Sequence, residues 1–196
     1  MNRKVLPVLK TAEDAEFGLG GETGRRLTAV TEQWLFVAPV SNPAMLEMFR
    51  DRDRKPLRDM VPWAGEFAGK YLTHAVQIYR LTGDERLKKH LDWFVRELTS
   101  LQAEDGYLGP WPADCHLTGK APNAGKASNG YNPTWDAWGH YHVMLGLLLW
   151  HGLTGDRKAL ACARRMGDLF CTTFLDGGKH LVETGSEEMN LAPIHS

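Results

Sequence analysis

Leu81-Thr-Gly-Asp84 and Leu153-Thr-Gly-Asp156 are the same four residues met twice, 72 positions apart. Apolar residues at helical spacing precede each copy: Ala68, Tyr71, Leu72, Ala75, Ile78 and Tyr79 before the first, Tyr141, Met144, Leu145 and Leu148 before the second. A second such stretch follows each: Leu87, Leu91, Phe94, Val95, Leu98 and Leu101, then Ala159, Leu160, Ala163, Met166, Leu169 and Phe170. Recurrence three or four residues apart marks one face of an α-helix. Glycine stops a helix because it adopts the left-handed conformation without steric cost, and an aspartate after it caps the next helix by accepting from a free backbone N–H. The tetrapeptide is therefore a tight turn between two helices. Trp63 and Trp135, and Gly106 and Gly178, keep the same 72-residue offset, so the unit is helix, turn, helix and long loop.

A lone helical hairpin cannot bury its apolar face, so such units stack on their neighbours. The first helix of the second unit is apolar on nearly every side (Val143, Met144, Leu145, Leu147, Leu148, Leu149), which suits full burial; the second helix of each unit carries a single stripe, which suits an outer position. An inner ring of helices within an outer ring is an α/α toroid. The fold expected is all-α, an incomplete (α/α)6 toroid of repeated hairpins over residues 63–196, behind an N-terminal segment, 1–62, with a helix near Thr23 to Phe36 and a short one near Ala44 to Arg50. A third unit is expected to begin with Glu188, Met189, Leu191 and Ile194, and the chain is read as the front portion of a longer domain.

Composition narrows the classes. Apolar residues make up 43% and charged residues 24% of the 196, as in soluble globular proteins. A net charge of −1 and a pI near 6.7 give no footprint for nucleic acid or an anionic membrane. The longest apolar stretch, Val143 to Trp150, is too short to span a bilayer, and Met1 to Lys10, interrupted by Pro7, makes a poor signal peptide, so a cytoplasmic location is expected. Cys115, Cys162 and Cys171 are an odd set without CxxC spacing; Cys162 and Cys171 fall in a helical pattern and read as core thiols.

Chemistry is expected where the inner helices begin, since those segments gather at one end of a toroid. They are Trp63-Ala-Gly-Glu-Phe67, Trp135-Asp-Ala-Trp-Gly-His140 and Glu183-Thr-Gly-Ser-Glu-Glu188, joined by Trp111 from the long loop between Gly106 and Tyr131. Loops of that size inside compact domains are commonly functional. Aromatic walls with a few polar anchors suit a carbohydrate. The candidate substrate-binding residues are Trp63, Glu66, Trp111, Trp135, Asp136, His140 and Glu188. Each also has a plainer use: Glu66 as a helix N-terminal charge paired with Lys70 four residues on, Asp136 as an N-cap, His140 as a core histidine, the tryptophans as packing landmarks. His74 and His142 read as structural. No catalytic or metal-ligating residue is assigned.

Trp63-Ala-Gly-Glu-Phe-Ala-Gly-Lys-Tyr-Leu72, Leu81-Thr-Gly-Asp-Glu-Arg-Leu87, Gln102-Ala-Glu-Asp-Gly-Tyr-Leu-Gly109 and Trp138-Gly-His140 together resemble the bacterial β-L-arabinofuranosidase-like glycoside hydrolases, glycoside hydrolase family 127 and its relatives, over roughly Trp63 to His195. The resemblance implies an (α/α)6 barrel followed by β-sandwich domains, and a retaining hydrolase whose cysteine nucleophile is held as thiolate in a zinc site of three Cys and one Glu, with a second Glu as general acid. In the family these lie C-terminal to the part matched, and Cys115, Cys162 and Cys171 do not correspond to them; zinc is implied for that later part alone. His140 resembles the family's sugar-contacting histidine, and Gly185-Ser-Glu-Glu-Met189 a second motif that often has His where this chain has Ser186. Two alternatives stay open: a non-catalytic fragment that binds sugar or self-associates through exposed inner helices, and an unsaturated-uronide hydrolase or sugar epimerase of another toroid family, for which Asp136 and His140 at i, i+4 would serve.

Overall fold

The computed structural model describes residues 18–122, 133–185 and 187–195, with the side chains of Glu187 and Glu188 left aside. Helices α1 (Gly21–Val30), α2 (Ala38–Ser41) and α3 (Ala44–Arg50) lead into two long hairpins, α4 (Glu66–Thr82) with α5 (Glu85–Ser100) and α6 (Asp136–Thr154) with α7 (Arg157–Phe170); a short helix, α8 (Glu187–Asn190), and a final turn, Ala192–His195, follow. There is no strand among the described residues, only an isolated bridge from Lys120 to Pro133. The N-terminal helix expected over Thr23 to Phe36 gives way at Thr31 to a π-turn, Thr31–Leu35.

The LTGD turns are built alike. Gly83 and Gly155 have φ of +61° and +74°. Their N–H groups donate to the carbonyls of Tyr79 at 2.8 Å and His151 at 2.7 Å. Asp84 Oδ1 then accepts from the N–H of Arg86 at 2.8 Å and of Leu87 at 3.4 Å, and Asp156 Oδ1 from Lys158 at 2.8 Å and Ala159 at 3.3 Å. Each cap of this kind stabilises its helix by roughly 1 kcal/mol.

Burial separates inner from outer helices. Along α6 no residue from Asp136 to His151 is exposed, whereas α5 buries the single stripe Leu87, Leu91, Phe94, Val95 and Leu98 and α7 buries Ala159, Cys162, Ala163 and Met166. Inner helices α4 and α6 run parallel: residues near 66, 69 and 72 meet those near 138, 142 and 146 in turn. One core joins both hairpins with Leu35, Met45, Leu46 and Phe49 of the N-terminal segment. Cys162 lies in that core, but Cys171 does not: the helix yields to a π-turn at Cys171–Asp176 and leaves its thiol exposed.

The α4–α6 contact is closest at Gly69. A Cβ there would stand 2.2 Å from the His142 carbonyl carbon and 2.3 Å from the Val143 nitrogen, atoms of a helix backbone that cannot step aside. At Gly146 the facing group is the Leu72 side chain, 3.0 Å from such a Cβ.

Gly69→Ala should therefore destabilise the protein by about 3 kcal/mol in urea unfolding, an overpacking cost. Gly152→Ala, where an added Cβ meets nothing within 4 Å, should instead gain about 0.5–1 kcal/mol from helix propensity. Equal effects at the two sites would contradict the close helix approach.

Candidate functional site

Two polar systems meet at the end of the arc where α4 and α6 begin. The first is sealed. Asp136, 2% exposed, accepts from the Tyr107 hydroxyl at 2.9 Å on Oδ1 and from the Leu117 N–H at 2.9 Å on Oδ2. The Tyr107 oxygen accepts in turn from the Trp111 N–H at 3.3 Å. Burial, then the Asp136 carboxylate, pushes the Tyr107 phenol well above its usual range, so it stays a donor. His140, 0% exposed, accepts from the Leu108 N–H on Nε2 at 3.2 Å. The hydrogen is thus on Nδ1, which lies 2.9 Å from the Asp136 carbonyl and donates to it. Arg52 reaches under the same loop to the carbonyls of Gly109 and Leu101, and His116 stacks on the Tyr107 ring while its Nδ1 lies 3.1 Å from Asp105. These bonds clamp the segment from Gln102 to Gly119 onto the start of α6.

The second system is open. Glu66 opens α4 and has both carboxylate oxygens occupied: Lys70 Nζ is 2.9 Å from Oε1, and the indole Nε1 of Trp138, on the neighbouring inner helix, donates to Oε2. The Lys70 ammonium lies 5.4 Å from the Trp138 ring centroid and 5.9 Å from that of Phe67. Below Trp138, edge-on at 4.4 Å, is His142. Its Nε2 is buried and without a hydrogen-bond partner among the described residues. Burial first, and then the Lys70 charge, lower its pKa to about 4, so the imidazole is neutral at physiological pH. Trp63, 37% exposed, and Phe67, 52% exposed, flank Glu66; the Trp63 ring leans on that of Trp135 at 5.4 Å.

The candidates from sequence are thus divided. Trp63, Glu66 and Trp135 stand at the open end; Asp136 and His140 belong to the sealed clamp; Trp111 is 1% exposed in a second small core with Tyr107 and Cys115. Tyr131 and Ser186 lie outside the described residues, as does the side chain of Glu188. Asn190 of α8 is buried and reaches the first turn of α6, its Oδ1 3.4 Å from the Trp138 N–H. Trp138 and His142, which are not among the sequence candidates, stand beside Glu66 at this end. The signal was available: the 72-residue offset sets Trp138 in the place of Glu66 and His142 in the place of Lys70.

No group of three or more His, Cys, Asp or Glu converges as a metal site among the described residues. Burial pushes the Cys115 thiol up to about 11, with Asp114 adding to it, and the Cys162 thiol up to about 12. Both are protonated at neutral pH, and neither is joined by enough further ligating groups to make a metal site among the described residues. These residues do not fit the zinc centre that the resemblance implies. No helix among the described residues is long and apolar enough to cross a membrane.

Residues 23–195 match the family described as β-L-arabinofuranosidase, GH127 catalytic domain. The chain is similar in structure to Ara127N-Se, a GH127 β-L-arabinofuranosidase from Geobacillus stearothermophilus T6, with a TM-score of 0.60 and 16% identity over 88% of this chain and 28% of that one. It is also similar to the GH127 β-arabinofuranosidase BT3674, with a TM-score of 0.56 and 18% identity over 76% and 24% of the two chains. At these identities the likeness is one of fold. The chain spans about a quarter of the length of these structures. No protein of curated function matches it.

The neutral state of His142 has a thermodynamic consequence. Its folded pKa, about 4, lies below the ordinary 6.5, so the unfolded chain binds the proton more tightly. The stability this contributes is complete above pH 6.5 and is lost as pH falls toward 4. The urea midpoint of wild type should fall more steeply across that window than that of His142→Gln; identical pH dependence would contradict the assignment.

Proposed function

Since the chain belongs to the GH127 β-L-arabinofuranosidase family, we propose that it forms one wall of the sugar-binding mouth of a glycoside hydrolase acting on β-L-arabinofuranosides or related glycosides. The family match displaces the uronide-hydrolase and epimerase alternatives. The observation that carries the reading is the cluster of Glu66, Lys70, Trp138 and His142, drawn from two neighbouring inner helices at one end of the arc. A buried imidazole nitrogen with no protein partner is costly unless something else satisfies it. A sugar hydroxyl is a group of the right chemistry, and the indoles of Trp63, Trp135 and Trp138 offer apolar faces for the ring beside it.

In this reading His142 contacts the substrate, its Nε2, covered in the sugar-free chain, becoming uncovered as the sugar seats. His140 acts at one remove, holding the Tyr107–Gly109 stretch in place through Leu108. The chain's own residues bind and orient the sugar. The nucleophile, the acid and the zinc that the family resemblance implies are not drawn from them, and no bond-breaking step is assigned to this wall.

A second reading concerns the chain by itself. Val40, Leu175 and Ile194 are 67%, 76% and 80% exposed, and Val30, Trp34 and Leu191 are also open to solvent. Exposed apolar side chains in such number favour self-association. Sedimentation of the isolated 196-residue chain should show species larger than the monomer; a clean monomer would remove this reading.

For the enzymatic reading, His142→Ala in the intact protein should lower kcat/KM on an aryl β-L-arabinofuranoside by at least about tenfold, as loss of a positioned hydrogen bond does. An unchanged kcat/KM would take His142 out of the site.

A further inference from the structure

The four side chains of the open cluster occupy two positions of the repeat, seen twice. Glu66 and Trp138 are one equivalent pair and Lys70 and His142 the other. Because α4 and α6 are parallel and in register, the equivalent residues Glu66 and Trp138 lie side by side and the four form one connected cluster. Lys70 binds Glu66, Glu66 binds Trp138, and the Trp138 ring abuts His142 at 4.4 Å with the planes at 90°. The Lys70 ammonium also lies 5.4 Å from the Trp138 ring centroid.

We propose that Glu66 is a positioning residue: its carboxylate bridges α4 to α6, fixes the Trp138 indole, and through that indole sets the orientation of His142 at the sugar site. This rests on the reading of that end as a sugar wall. Three observations carry it. Both oxygens of Glu66 are engaged and its side chain is 7% exposed, so it is placed to hold rather than to exchange protons with substrate. An indole has one polar atom, Nε1–H, and that atom is spent on Glu66, which leaves the ring only one orientation that keeps the bond. His142 has no hydrogen bond at Nε2, and its ring is set by the rings packed on it, Trp138 at 4.4 Å and Tyr141 at 4.8 Å. The charged and titratable groups acting on His142 are Lys70, Glu66 and His74, all from α4; beside it on α6, Tyr141 meets His195 of the final turn at 3.1 Å. Lys70 opposes and Glu66 favours the protonated imidazole, so the bridge tunes His142 as well as aiming it.

The test combines kinetics with NMR of the intact protein labelled at histidine Cε1 and indole Nε1. Glu66→Gln keeps a carbonyl for the indole while removing the charge. It should leave the Trp138 Nε1–H resonance in its hydrogen-bonded position, lower the His142 midpoint, and raise KM less than Glu66→Ala does. Glu66→Ala removes the acceptor. It should move the indole resonance upfield and raise KM at least about fivefold with kcat changed less than about twofold. Trp138→Phe, which keeps a ring but loses the N–H, should disturb the His142 resonance as Glu66→Ala does, and serves where Glu66→Ala does not fold. An indole resonance unmoved by Glu66→Ala, or a kcat loss of a hundredfold or more in both Glu66 variants, would overturn the proposal, the latter by making Glu66 catalytic. If the resonances respond as stated while His142→Ala leaves kcat/KM unchanged, the bridge stands and the sugar-wall reading fails.

Discussion

The open end of the molecule depends on how closely two helix backbones approach at Gly69. An ordinary side chain contact needs more than 3 Å, and a Cβ at this position would have 2.2 Å. Any residue larger than glycine would force α4 and α6 apart by about an ångström, and a hydrogen bond weakens steeply over such a distance. The Glu66 bond to Trp138 spans that same gap one turn away. A missing side chain in the middle of the helix pair therefore permits a polar bond at its end. It also lets the hairpin repeat bring equivalent positions together, because they become neighbours only when inner helices run parallel, close and in register.

The two polar systems divide the work. Asp136, Tyr107 and His140 spend their hydrogen-bonding capacity on one another and on the backbone of the loop between α5 and α6. Fully satisfied and out of water, such a network rigidifies what it touches. The Glu66 cluster is the complement: saturated where it bridges helices, unsatisfied at His142 Nε2, and bordered by aromatic rings that remain accessible. A rigid clamp behind and an incomplete polar edge in front is the arrangement expected of a binding wall.

The hairpin grammar was legible in the sequence because helix periodicity, glycine stops and aspartate caps are local. Both LTGD turns, the buried α6 and the Glu66–Lys70 pair follow from it. Motif resemblance singles out His140, while the repeat and the packing of α6 set His142 in the cluster with Glu66. A helix turns about 100° per residue, so two residues apart are on nearly opposite faces. His140 faces outward into the clamp and His142 stands beside Trp138. The repeat offset distinguishes them, since it matches His142 to Lys70. What no local pattern could supply was Tyr107 meeting Asp136 across 29 residues, Trp111 turning into the core, or the π-turn that exposes Cys171.

The direct measurement is a crystal structure of the intact protein with L-arabinose bound. The sugar should lie against Trp138, within hydrogen-bonding distance of His142 Nε2, with the Glu66–Trp138 bond intact and His140 still buried against Leu108. A sugar bound elsewhere, or held by His140 after the clamp has opened, would contradict the assignment of this end of the arc as the sugar wall.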